Sequence, residues 1–206
     1  MRRMVHSGVF QVKGKTQMVE KCKKVVDALR RRGFDATYCA TADEAASALQ
    51  AEVDAVRRVG MGGSATMKEL GVAAKLEASG KLLTRGADCD LFLLSANAVT
   101  SDGRIVNIDG NGNRVAASVS GPGKVVYAIG RNKIVDGGVD AAIARIKEKA
   151  CPPNCVRLGK NTPCAATGKC ADCDSPDRIC KVTAVFERRP TGTPTAVYVV
   201  NADLGY

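Results

Sequence analysis

Apolar residues first recur at helical spacing over residues 16–32. Met18, Cys22, Val25 and Leu29 keep a three-to-four period there, with Val19 and Val26 beside them. Gly33 ends that helix, and Cys22, lying on the stripe, reads as a small buried hydrophobe. A short strand follows at 35–40. Thr41 and Glu44 then open an alanine-rich helix as a capping box. A further β segment enters Gly60-Met61-Gly62-Gly63-Ser64, and a helix starting at Ser64 or Ala65 carries Met67 and Leu70. Another helix covers 72–79. Residues 90–95, "DLFLLS", form an unbroken apolar run, as a central strand buried on both faces does. Asp102-Gly103 marks a hairpin-like turn, and 104–108 return as a strand. The loop 109–113 either caps a helix at 114–118 or contacts a substrate. A strand at 124–130 precedes a helix over 137–150, with Val139, Ile143 and Ile146 inward. Two strands, 181–189 and 195–202, close the pattern around a turn at 190–194.

The period fails between Cys151 and Cys180. Pro152, Pro153, Pro163 and Pro176 are expected to break any helix there. A loop of that length is rare unless it has a function or is disordered, and a bound metal would supply the order that a core cannot. This stretch holds six of the nine cysteines, while the single histidine, His6, lies far upstream. Cys170-x2-Cys173 is the closest pair, with Cys164 six positions before it and Cys180 seven after it. Four such thiolates can hold an iron–sulfur cluster, tetrahedral zinc, or neither. Zinc ribbons carry two close knuckles, and only one is present. The wider spacing of Cys164 and Cys180 suits a larger cluster better than one ion. Cys151 and Cys155 either complete a different ligand set or form a free pair able to oxidise.

Gly60, Gly62, Gly63, Ser64 and Thr66 form the second chemical feature. Strand, glycines and helix in that order turn backbone N–H groups toward an anion, or make a tight turn and nothing more. The glycine spacing is not that of a dinucleotide site, and Lys68 is misplaced for a Walker loop.

At 206 residues the chain suits one domain with a sizeable core. No apolar run reaches the roughly 18 residues a membrane span needs. The basic opening residues lack the apolar segment of a signal peptide, so the expected compartment is the cytoplasm, where cysteines serve metals or catalysis rather than disulfides. Lys and Arg total 31 against 21 acids, a net charge of +10 that favours anionic partners. With aromatics at 4% and no tryptophan, stacking surfaces for nucleic acid are scarce, and nucleic acid is not the expected partner.

The motifs "VGMGGSATMKELG", "TRGADCDLFLLSANAVTSDGRIVNIDGNGNRVAA", "GRNKIV", "NTPCAATGKCADCDSPDRIC" and "ADLGY" together resemble the LUD-domain family, named from bacterial lactate utilization proteins. The resemblance spans roughly residues 16–206. It implies a three-layer, Rossmann-like α/β domain with a mostly parallel sheet. That domain is similar to ribose-5-phosphate isomerase, glucosamine-6-phosphate deaminase and the CoA transferases, here with a cysteine-rich insertion before the last two strands. In that superfamily the glycine loop binds a phosphate or similar anion. The stretch from Ser95 to Gly112 also looks like an isomerase segment in which an aspartate moves protons. Asn97 stands in that place here, and an amide cannot act as a base. The remaining candidates are Asn97 orienting a carbonyl, and Asp102, Glu69 and Lys133 as acid, base or anion contacts. Each of those three also has an inert role, as turn former, helix-surface charge or solvated lysine.

Characterised relatives belong to a multi-protein system that oxidises L-lactate, in which a partner carries separate iron–sulfur motifs. This chain has no ferredoxin-like segment. The expectation is an iron–sulfur ([4Fe–4S]) enzyme or redox subunit acting on a small carboxylate or phosphorylated metabolite. An electron-transfer partner protein and a homodimer fit that expectation. The alternative is a binding or regulatory protein in which zinc or a cluster at Cys164, Cys170, Cys173 and Cys180 is purely structural.

Overall fold

The computed structural model describes the backbone of residues 6–83 and 88–206, with side chains from residue 16 onward. The basic opening residues 1–5, the His6 side chain and the 84–87 portion of the second motif lie outside the described residues.

The main sheet is parallel throughout, in the order β1-β9-β6-β3-β2. Its strands are β1 (Asp35–Cys39), β2 (Val59–Met61), β3 (Leu91–Leu94), β6 (Lys124–Gly130) and β9 (Thr195–Val200). Alternation decides its two faces. Phe92, Leu94, Val125, Tyr127, Val197 and Val199 join Cys22, Val25 and Leu29 of helix α1 (His6–Arg31) in one core. Leu91, Leu93, Val126 and Ala128 point the other way, onto Leu49 and Val53 of α2 (Ala42–Asp54), Met67 of α3 (Ala65–Glu69) and Leu76 of α4 (Val72–Ala78). Helices therefore cover both faces, and β3 is buried along its whole length, as its unbroken apolar run requires.

A second sheet has the order β7-β4-β5-β8. Here β4 (Ala98–Thr100) and β5 (Ile105–Asp109) are antiparallel around the 101–104 turn. β8 (Val182–Phe186) pairs antiparallel with β5, and β7 (Ile134–Val135) pairs parallel with β4. The two strands that close the chain thus lie in different sheets. Helix α5 (Asn113–Val119) follows β5, and α6 (Val139–Arg145) lies against the second sheet. Their third core contains Ala98, Val106 and Ile108 with Ala142, Ile146, Ala150 and Cys151, and Cys180 packs against it. Ile146 is inward as expected, Ile143 packs half-buried against this core, and Val139, also half-buried, is not part of it; Ala142 and Ala150 complete the inward face.

The prolines do not end this helix. After α6 the chain makes one π turn, Ile146–Ala150, in which the Cys151 N–H reaches the Ile146 carbonyl. It continues as α7 (Cys151–Arg157), with Pro152 and Pro153 in its first turn. A proline has no N–H to give and its ring crowds the carbonyl four residues back. A widened turn is one of the few devices that absorb this inside a helix. Pro163 opens α8 (Pro163–Thr167), where Thr162 caps the helix by accepting the Ala165 N–H. Among the described residues, no helix is long and apolar enough to cross a membrane.

Candidate functional site

The glycine loop leaves the C-terminal end of β2. Ser64 caps α3 by accepting the Met67 N–H at 3.3 Å. Thr66, in the first turn, is buried. Gly62 leaves room for Arg114, since a Cβ there would stand 3.0 Å from the Arg114 Cδ. Arg114 comes from α5, whose first turn is capped by Asp109, its carboxylate accepting the Arg114 and Val115 N–H groups at 3.0 and 3.1 Å. The guanidinium donates to the Ser95 and Ile108 carbonyls and to the Asn97 Oδ1 at 3.2, 2.8 and 2.9 Å. Burial works against its charge.

Asn97 is a structural bracket as well as a lining residue. Its backbone N–H donates to Asn107 Oδ1 at 3.0 Å, and its own Oδ1 accepts the Ile108 N–H at 2.9 Å. Those bonds join the main sheet to the second sheet. The amide nitrogen of Asn97 makes no hydrogen bond among the described residues, leaving a donor at the pocket.

Lys133 lies in a short 3-10 turn after β6, only 4% exposed. It is not a solvated lysine. Its Nζ donates to Thr66 Oγ1 and Ser95 Oγ, each at 2.8 Å. Burial, with the Arg145 and Arg114 guanidiniums adding to it, lowers the ammonium to about 7. Arg145, from α6, donates to the carbonyls of Asn97, Tyr206 and Asn132 at 2.8, 3.0 and 3.0 Å.

Thr66, Ser95, Asn97, Arg114 and Lys133 line an inner pocket of about 40 Å³ together with Gly63, Ser64, Asn154 and Tyr206. Gly63, Asn97, Arg114 and Asn154 also line an outer cleft of about 400 Å³. The far wall of that cleft is the cysteine segment, through Cys151, Lys160 and the stretch from Pro176 to Ile179. The two regions are tied directly. The Lys181 N–H donates to the Asp109 carbonyl at 3.0 Å, and Gly110 passes so close to Ile179 that a Cβ would meet its Cα at 3.2 Å.

Two sequence candidates fall elsewhere. Asp102 sits in the β4–β5 turn, where it accepts from Thr100 and pairs with Arg32 and Arg104. Those partners hold its carboxyl below the usual range, the Thr100 hydroxyl foremost, and it lines neither cavity. Asp109 and Asp177 are the acids that do line the cleft. Glu69 is exposed and accepts the Gly205 N–H at 2.7 Å, fixing the 204–206 stretch over the pocket. Arg114 and Asn154 were missed because their neighbours in sequence say nothing of a cleft that tertiary folding creates. Arg114 did have one signal, its place in the first turn after a glycine-rich polar loop.

The cysteine segment is ordered by polar bonds. Arg178 donates to the Cys173 and Cys180 carbonyls at 2.8 and 2.9 Å and to Asp172 at 2.8 Å, and Lys147 on the π turn donates to Asp172 at 3.0 Å. Asn161 and Asp177 close the other side. The thiols gather around α7. Cys151 and Cys155, one helical turn apart, are both buried, and the Cys155 and Cys164 sulfurs stand 3.6 Å apart. Burial, reinforced by Cys180, Cys155, Cys170 and Cys164, pushes the Cys151 thiol up to about 12. Among the described residues, no three Cys, His, Asp or Glu side chains converge as a single metal ion needs.

A parallel five-stranded sheet sandwiched by helices, with a glycine-rich loop at the C-terminal edge of its strands, defines a Rossmann-like three-layer α/β protein. The LUD domain model matches residues 22–200, and the chain belongs to the LUD domain family. The crystal structure of a DUF162 family protein from Deinococcus radiodurans aligns with 90% of this chain and 98% of its own, at 16% identity and a TM-score of 0.51, a likeness of fold. No curated protein matches the chain in sequence.

Proposed function

We propose that this chain is an iron–sulfur enzyme or redox subunit that acts on a small carboxylate or phosphorylated metabolite. The observation that carries the reading is one cleft walled by the glycine loop and Arg114 on one side and by Cys151 and Pro176–Ile179 on the other. An anion held there lies beside Cys151, one helical turn from Cys155, whose sulfur stands 3.6 Å from that of Cys164.

The anion is bound by Arg114 and the Asn97 amide, with the loop from Gly60 to Thr66 shaping the floor. Lys160, Arg178 and Lys181 line the opposite wall and offset the charge of bound thiolates. The wider spacing of Cys164 and Cys180 around Cys170-x2-Cys173 suits a cluster of several irons better than one zinc. The cluster supplies one-electron transfer, or Lewis acidity where an iron lacks a cysteine. Its ligands are taken as Cys164, Cys170, Cys173 and Cys180.

Iron and acid-labile sulfide analysis on protein prepared without oxygen tests the reading. The expected result is both elements with a broad absorbance around 400 nm, lost in Cys164→Ser and in Cys173→Ser. Colourless protein with one zinc per chain sinks the cluster. Retention in Cys173→Ser overturns the ligand choice.

A further inference from the structure

The inner pocket contains a nucleophile that anion binding does not explain. Lys133 Nζ is buried and held by two hydroxyls, and among the described residues it pairs directly with no carboxylate. Glu69, which accepts the Gly205 N–H, favours its charge, but less than burial and the two guanidiniums oppose it. Two guanidiniums, Arg114 from α5 and Arg145 from α6, are fixed near it by bonds to backbone carbonyls. A buried ammonium with two cationic neighbours and no directly paired carboxylate is disfavoured, and the group sheds its proton readily. A lysine made neutral by burial and adjacent cations is the form that attacks carbonyls.

We propose that Lys133 forms a Schiff base with a small 2-oxo acid in this pocket. The inference narrows the metabolite class given above and rests on the anion-binding reading of the cleft, not on the cluster. The pocket's small volume admits only a few atoms beside the amine. Its mouth, at Gly63, Asn97, Arg114 and Asn154, is where a carboxylate meets the Arg114 guanidinium and the Asn97 amide.

The Lys133 lone pair adds to the carbonyl carbon, and the C=O π pair moves to oxygen. A proton passes from nitrogen to that oxygen through the Ser95 or Thr66 hydroxyl, giving a carbinolamine. Uptake of one proton from solvent releases the oxygen as water and leaves a protonated C=N bond. No oxidant or second reactant enters. Ser95 and Thr66 can serve the relay because each accepts from Nζ, and each hydroxyl gives up only a 3.3 Å bond, to the Ala96 and Leu204 carbonyls respectively, when it turns its proton to the substrate oxygen.

The test is reductive trapping of the full chain with pyruvate and borohydride, followed by peptide mapping. The expected product is a mass increment of the acid less one oxygen, confined to the peptide containing Lys133. Excess of a 2-hydroxy acid, which binds but has no carbonyl, should suppress it. Thr66→Val should slow trapping several-fold while pyruvate still raises the melting temperature. Mapping uses the unaltered chain, so a Lys133→Arg variant that failed to fold would not decide the matter. Labelling of surface lysines alone overturns the proposal. A melting shift with pyruvate but no adduct also overturns it and leaves the anion pocket standing. Neither shift nor adduct overturns both.

Discussion

Lys133 sets the chemistry of the inner pocket through what surrounds it. Its amine falls from an ordinary 10.5 to about 7, with burial the main cause and Arg145 and Arg114 next. The linkage has a definite sign. Between those two values the unfolded chain binds a proton that the folded chain does not, so this residue makes stability rise with pH across that window. Below about pH 7 both states are protonated and the full penalty applies. Lys133→Met removes the penalty. The variant should therefore be more stable than the parent near pH 7, and the advantage should shrink as pH approaches 10. Urea unfolding of both proteins at those two pH values checks this, and an advantage independent of pH would contradict it. Cys22 behaves as its place on the apolar stripe implies, fully buried in the first core.

At the scale of elements, two glycines separate fold from site. Gly103 has φ +88°, and a Cβ there would stand 2.6 Å from the Ala28 backbone. Gly103→Ala should cost about 2 kcal/mol or more, read as a fall in melting temperature. Gly62→Ala meets only the flexible Arg114 stem. Its melting temperature should hold within a degree or two, while anion affinity drops several-fold as Arg114 shifts, measured by phosphate titration. The same comparison shows what the sequence made legible. Strand–glycine–helix at Gly60–Thr66, the Thr41–Glu44 cap and the buried run of β3 are local patterns, and all are present, with Glu44 reaching the Ala40 N–H rather than that of Thr41. The helix through Pro152 and Pro153 was illegible. A π turn has no residue signature, and two prolines ordinarily signal the opposite. Asp102 was misplaced for a related reason, because Arg32 and Arg104 draw it to the far side of the hairpin.

For the whole molecule, Arg145 joins three segments that lie far apart in the chain. One guanidinium serves the carbonyls of Asn97, Asn132 and Tyr206, so the link between the sheets, the Lys133 turn and the 204–206 stretch are held by one side chain. Arg145→Met leaves those carbonyls without their donor and should cost about 2–4 kcal/mol. It also removes a positive neighbour of Lys133, so the lower edge of the pH window should rise toward 10.5 and the effect shrink in that background. The meeting of the cysteine segment with the glycine loop also belongs to this scale. Spacing could rank the thiols but could not bring Cys151 and Cys155 to Cys164, because α7 does that through the third core.

Strand order has a further consequence, for biosynthesis. β9 comes last in sequence but sits between β1 and β6, with six register pairs to β6 and five to β1. Until it emerges, β1 has no partner and β6 is an open edge. A nascent chain can assemble β2, β3 and β6 early, but it must finish residues 151–180 before the sheet closes. Long-range parallel pairing of this kind is slow and exposes unpaired edges while it waits. The thiols are thus translated while the domain is still open, and this interval is when they are most accessible.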